Sequence, residues 1–270
     1  MTTTTTSTTY TWSPKAYSQH ASFVPQLGTP ILEALAPKPG ERIMDIGCGD
    51  GILTERIRLS GAIVVANDAS PDMIHQAKEN FPDSADTYSV LDGHDLHSSE
   101  WGTATDKFDA VFSNAALHWM KKSPAQVVRG IRAVLKSNHQ GRFVAEFGGF
   151  LNIASVHAAL INGLNKRGFD GRAVSPWYFP SPAEYKLLLE ENGFTDVTAT
   201  LVGRPTVLSE AGLKGWLDTF GMAFMDVLGS DEEREELKNE IVEQLRPVLC
   251  DSQGVWTLDY WRLRVEAWTH

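Results

Sequence analysis

The sequence holds only two cysteines in 270 residues, Cys48 and Cys250, so a disulfide framework is excluded and reduced thiols in a cytoplasmic protein are the simple expectation. Positive charge is also scarce: 24 Lys+Arg stand against 34 Asp+Glu, a formal net charge of −10. Binding DNA or RNA relies on Lys and Arg replacing phosphate counterions, and no Lys/Arg run is present, so no nucleic-acid partner is expected. No apolar run approaches the roughly 20 residues that span a bilayer, which argues against a membrane protein. The start, Met1-Thr-Thr-Thr-Thr-Thr-Ser-Thr-Thr, lacks the basic and apolar regions of a signal peptide. Uncharged and Thr-rich, it offers nothing to bury, and residues 1–11 read as a disordered tail. What remains has an ordinary globular composition, 42% hydrophobic and 21% charged. A chain of this length buries on the order of 75% of its unfolded surface and needs neither disulfide nor metal to hold a core; no metal site is expected.

Segments rich in β-branched residues alternate with helical patterns through the first half, the signature of successive βαβ units and a parallel sheet. Strands are predicted at 42–45, 62–67, 87–91, 108–113 and 141–146. Asp45, Asp68, Asp92 and Asn114 close or follow the first four, at a spacing of one βα unit per step. In parallel strands all four lie along one C-terminal sheet edge, where open α/β sheets bind ligands. Ser70-Pro71 and Ser123-Pro124 predict helix starts. Val127, Val128, Ile131, Val134 and Leu135 recur at helical spacing and predict a stripe packed on the sheet. Beyond Gly149 the pattern changes to a helix at 153–166 and an aromatic, Pro-rich segment at 175–182. Ser181 with Glu184 predicts a capping box for a helix through Glu191. A strand at 196–202, helices at 209–228 and 231–249 and a last strand at 256–268 complete the pattern. The fold class is therefore α/β, a Rossmann-like, mostly parallel seven-stranded sheet flanked by helices. A helical cap comes from N-terminal and C-terminal-half insertions. The core is expected at about 38–150, 181–203 and 255–270, and the cap at about 12–37, 151–180 and 207–250, with 12–270 a single domain.

The sharpest local feature is Ile43-Met-Asp-Ile-Gly-Cys-Gly-Asp-Gly51, a strand running into a Gly-x-Gly-x-Gly turn and then a helix. Glycines there allow close ligand approach. A dinucleotide fingerprint would need a third glycine where Ile52 stands, so a nicotinamide cofactor is disfavoured. On these residues the chain resembles the class I S-adenosylmethionine-dependent methyltransferases. The resemblance implies S-adenosyl-L-methionine as cofactor, with Asp45, Gly47, Cys48 and Gly49 around its amino acid portion and Asp68 accepting both ribose hydroxyls. It further implies Ala69 and Met73 flanking the adenine, Asp92 and Gly93 meeting the adenine edge, and Asn114 closing the pocket near the reacting sulfur. Trp12 with Tyr17, Ala-Leu-His118-Trp119 and Glu146-Phe-Gly-Gly149 bring it nearest to the small-molecule branch that includes trans-aconitate methyltransferase.

Methyl transfer is an in-line displacement at a sulfonium carbon, so the protein mainly aligns the nucleophile and excludes water. Where the nucleophile must lose a proton, His118 is the best-placed general base, although it could equally cap the following helix or pack on Trp119. The covering segments are rich in aromatic residues, and Trp12, Tyr17, His118, Trp177 and Trp216 are expected to contact an apolar or aromatic small substrate. An acidic substrate would need a guanidinium, for which Arg172 and Arg204 are the cap candidates. The expected activity is methyl transfer to an O, N or C nucleophile of a small molecule. The alternatives are an enzyme of the same fold that catalyses a rearrangement or cyclisation without methyl transfer, and a non-catalytic regulator. Oligomeric state is not readable.

Overall fold

In the computed structural model, which describes residues 28–270, β1 (Arg42–Ile46) is buried from Ile43 onwards because it sits mid-sheet with neighbours on both sides, and its sequence is apolar there apart from Asp45. β2 (Ile63–Asp68), β3 (Tyr88–Val90), β4 (Ala110–Asn114) and β5 (Arg142–Gly148) run parallel to it. β6 (Phe194–Gly203) and β7 (Trp261–Thr269) finish the sheet, in which β7 alone runs antiparallel, between β5 and β6. The strand order is β3-β2-β1-β4-β5-β7-β6, so the chain reverses its direction of travel across the sheet between β1 and β4. That is the topological switch point at which open α/β sheets bind ligands.

Each flanking helix follows from its local chemistry. α1 (Thr29–Leu35) and α2 (Ile52–Arg58) bury Ile31, Leu35, Leu53 and Ile57 against Ile43, Val64 and Phe112 on one sheet face. α3 (Pro71–Asn80) starts where the Ser70 hydroxyl accepts the Met73 N–H at 3.3 Å. α4 (Pro124–Val134) lays Val127, Val128, Ile131 and Val134 against the opposite face, all at most 2% exposed. Its start differs in detail from expectation, because the Ser123 side chain makes no capping bond; the Ser123 carbonyl accepts from Gln126 instead. α5 (Ala154–Lys166) carries the chain away from the sheet, and α6 (Pro182–Glu191) brings it back through the Ser181–Glu184 capping box.

α7 (Gly212–Phe220) and α8 (Asp231–Leu249) build a second apolar core with α5, centred on Leu160, Leu164, Leu217, Phe224, Leu237 and Ile241. Two elements are interrupted where the sequence predicted continuity. The helix expected over 209–228 breaks at Gly221 into α7 and a single turn, Met222–Met225. The last strand is split because the chain steps out at Asp259, whose Oδ2 accepts the Ser155 N–H at 3.0 Å and its hydroxyl at 2.8 Å, fixing the start of α5. The residues before that step, Thr257–Leu258, pair with Thr206–Val207 as a separate two-stranded ribbon. The expected tail and the candidates Trp12 and Tyr17 lie outside the described residues.

Candidate functional site

At the end of β1 the chain turns through Gly47, Cys48 and Gly49 into α2. Gly47 has φ 72°, and a Cβ there would stand 2.2 Å from the Ala116 Cβ, so no side chain fits between the β1 and β4 loops. Gly49 also has positive φ, 57°, but its missing side chain faces open space, with nothing within 4 Å. Its N–H donates to Asp68 Oδ2 at 3.0 Å, and the other Asp68 oxygen accepts the Ser70 N–H at 2.8 Å. One carboxylate thus ties the glycine loop to the α3 N-terminus. Burial raises the Asp68 pKa, and the two backbone N–H groups oppose that shift.

Asp92 follows β3, and its Oδ1 accepts both the backbone N–H and the ring Nδ1 of His94, at 2.9 and 2.7 Å. The His94 hydrogen bond holds the Asp92 carboxyl below its ordinary range, and Asp92 in turn raises the imidazole. Gly93 is buried against Met120, whose Sδ would lie 2.8 Å from an added Cβ. Asn114 ends β4, and the single turn Leu117–Trp119 presents His118, 7% exposed. That turn is pinned twice: the Gly148 N–H donates to His118 Nδ1 at 3.3 Å, and the Tyr178 N–H to the His118 carbonyl at 2.8 Å.

These elements line one cavity of about 840 Å³ between the sheet edge and the cap. Gly47, Gly49, Asp68, Ala69, Met73, Asp92, Gly93 and Asn114 form its sheet side, and His118, Trp177 and Trp216 face the same space. Trp119, Phe179 and Phe220 add to the aromatic wall. Trp177 stacks on Phe179 with ring centroids 5.8 Å apart, and the Trp216 indole N–H donates to the Tyr260 hydroxyl at 2.7 Å. Phe224 and Met225, in the cap core behind that wall, do not line the cavity.

Four expected site residues do not line the cavity. Asp45 is turned inward, 2% exposed, and accepts the Thr54 hydroxyl at 2.6 Å, so it fixes α2 behind the glycine loop. Cys48 points the other way from the cavity, packing on the cluster of Ala66, Ile74, Ala77 and Tyr88, where burial pushes its thiol pKa well up. Arg172 is solvent-exposed on the turn Gly171–Val174, whose Ala173 and Val174 line the cavity while Arg172 does not. Arg204 is engaged in an ion pair, its Nη1 lying 2.6 Å from Glu146 Oε1. The guanidinium in the cavity is Arg262, on β7, 3% exposed and stacked over the Tyr260 ring at 4.8 Å. The signal for it was an arginine in the middle of a strand predicted to be core, where burying a charge calls for a polar or charged counterpart.

The buried Asp45 carboxyl has its pKa raised to about 7, chiefly by desolvation, against an ordinary 3.8. Between those values the folded protein holds a proton that the unfolded chain has released, so this group costs stability progressively as pH rises through that window. Asp45→Asn is expected to gain stability relative to the parent at about pH 8 and to be near parity at about pH 4. Urea midpoints of both proteins at the two pH values check this; a constant difference contradicts it.

Among the described residues no cluster of three or more His, Cys, Asp or Glu could hold a metal ion, and no helix is long and apolar enough to cross a membrane. The methyltransferase-domain family profile matches residues 44–144, the stretch from β1 to β5 that supplies the sheet side of the cavity. An uncharacterised methyltransferase of Schizosaccharomyces pombe is 36% identical over 264 residues, covering 95% of this chain and 97% of that protein. Trans-aconitate 2-methyltransferase of Deinococcus radiodurans is 30% identical over 255 residues, covering 83% of this chain and 86% of that protein. Among solved structures, the YcgJ protein of Bacillus subtilis superposes with a TM-score of 0.59 at 14% identity, over 90% of this chain and 97% of that one, a likeness of fold.

Proposed function

The chain belongs to the class I S-adenosylmethionine-dependent methyltransferases, and from that premise we propose that its acceptor is a small carboxylic acid with an apolar or aromatic body. S-adenosyl-L-methionine is its cofactor, and the chemistry it supplies is an electrophilic methyl group on a sulfonium sulfur. The residues present suit that cofactor. Gly49 lines the cavity and has open space where a side chain would stand, the Asp68 oxygens keep acceptor capacity beyond their two backbone bonds, and Asn67 carries a buried amide nitrogen with no hydrogen-bond partner among the described residues at the same edge. On this reading Asp68 accepts the ribose hydroxyls, Asp92 the adenine amino group through its second oxygen, and Asn114 closes the cavity beside the reacting carbon.

The observation that carries the acceptor class is Arg262, a buried guanidinium in the same cavity as the aromatic wall. A chain at −10 repels anions at a distance, so an acidic acceptor needs a local positive field, and Lys121 and Lys122 on the cavity lining add to it. The guanidinium orients the carboxylate while the stacked Trp177 and Phe179 grip the apolar body and exclude water, which strengthens that contact. A carboxylate is already a competent nucleophile, so positioning carries the rate. The relative from Deinococcus radiodurans is named for trans-aconitate. Among the described residues, one buried guanidinium and six Trp, Phe and Tyr rings line the cavity, which suits one carboxylate on a more apolar body. A reducing compartment, the cytoplasm, suits the free Cys48 and Cys250.

Trp177→Ala and Arg262→Gln test the division of labour. Both are expected to leave S-adenosylhomocysteine affinity within about threefold and to lower methyl transfer to extracted low-mass acids by at least about tenfold, the loss of a charge-assisted bond or a buried ring face. Isothermal calorimetry and labelled-methyl counting separate the two effects. Full transfer by Arg262→Gln would remove the carboxylate assignment.

A further inference from the structure

We propose that His118 serves the acceptor as a fixed, neutral hydrogen-bond donor through Nε2 and takes no proton from it. The inference rests on the carboxylic-acid reading for the identity of the acceptor, and on one contact for the chemistry. The backbone N–H of Gly148 points at His118 Nδ1 at 3.3 Å. A backbone amide can only donate, so Nδ1 presents its lone pair and the hydrogen of the neutral ring sits on Nε2. Nε2 has no hydrogen-bond partner among the described residues, and the ring lines the cavity.

A base in the cavity would need the opposite tautomer. Its Nδ1–H would face the Gly148 N–H, donor against donor, in a site where burial makes an unmet polar group costly. Protonating the ring meets the same obstacle and a second one. Arg262, on β7, is a charged group acting on it, while Trp119 and Phe179 pack on the ring with centroids 5.4 and 5.9 Å away and the Tyr178 N–H holds the His118 carbonyl. Desolvation first, then the Arg262 charge, hold the imidazole pKa well below its ordinary value. A fixed donor beside a guanidinium selects an oxygen acceptor that arrives already deprotonated, so substrates whose nucleophile must lose a proton are rejected at this position.

The test reads the imidazole without any substrate, so its outcome is independent of the acceptor class. The full chain is labelled with nitrogen-15 histidine, and its long-range proton–nitrogen spectra are recorded from about pH 5.5 to 8.5. The His118 signals are assigned by their loss in His118→Gln, or in His118→Asn should the first fail to fold. The expected result is a single Nε2–H tautomer that does not titrate over the range. An Nδ1–H tautomer, or a midpoint inside it, overturns the proposal. Donation to the acceptor has its own readout in labelled-methyl transfer. His118→Gln, whose amide keeps a donor near Nε2, should transfer at least about tenfold faster than His118→Phe. Equal rates in those two variants overturn the donor role.

Discussion

Asp68→Ala is expected to weaken S-adenosylhomocysteine binding by at least about a hundredfold while leaving the protein folded. The size follows from the bonds at stake. Hydrogen bonds to a charged group contribute about 1.5–3 kcal/mol each, and two ribose hydroxyls converge on this carboxylate in the proposed complex. The same side chain organises the site before any ligand arrives, because it joins the Gly49 and Ser70 amides at 3.0 and 2.8 Å. Alanine releases both amides and frees the glycine loop, whose positive φ values make it dependent on such anchors. Asp68→Asn is expected to fail almost as badly, since its amide nitrogen must face one of two N–H donors. Calorimetric titration of all three proteins at fixed ionic strength measures the effect, and an unchanged affinity in the alanine variant would remove the ribose assignment.

The largest stability effect is expected at Glu146, which does not line the cavity. This carboxylate is 1% exposed and lies 2.6 Å from Arg204 Nη1 and 2.6 Å from Arg264 Nε. Glu146→Ala leaves two guanidinium groups facing each other across a buried site. Breaking a buried ion pair by removing one partner costs about 3–5 kcal/mol, and the partial exposure of Arg264 points to the lower end. For a chain of this size that lowers Tm by about 10 °C. Arg204 follows β6 on the way to the ribbon and α7, so the triad also fastens the cap to the sheet. The variant should therefore lose acceptor methylation more steeply than cofactor affinity on warming. Denaturation within about 0.5 kcal/mol of the parent would contradict this account of the triad.

Much of the sheet side of the cavity could be read from the sequence because it rests on local patterns. The βα spacing that carries Asp68, Asp92 and Asn114 to one sheet edge is set by strand and helix lengths, and all three line the cavity. Direction within a turn is a different matter. Asp45 and Cys48 sit in the same motif as Gly47 and Gly49, yet one side chain points back to Thr54 and the other into the cluster around Tyr88, as decided by packing that the motif does not encode. Long-range pairing was equally hidden. Arg204 meets a carboxylate 58 residues away, which turned a candidate clamp into a structural tie. Arg262 reaches the cavity through the antiparallel insertion of β7 between β5 and β6, a neighbour relation that periodicity does not reveal. The break at Gly221 and the step at Asp259 are likewise responses to the cap core and to the α5 N-terminus, not to the local pattern of apolar residues.

The central claim is that this cavity delivers a methyl group to a small acid. The most direct measurement incubates the purified protein with methyl-labelled S-adenosylmethionine and the low-mass fraction of a cell extract, and follows both products by mass spectrometry. The account predicts S-adenosylhomocysteine and a labelled, base-labile ester in equal amounts, with the label lost in Asp68→Ala. Turnover of an acceptor without S-adenosylhomocysteine, or label recovered in macromolecules while the low-mass acids stay unlabelled, would contradict it.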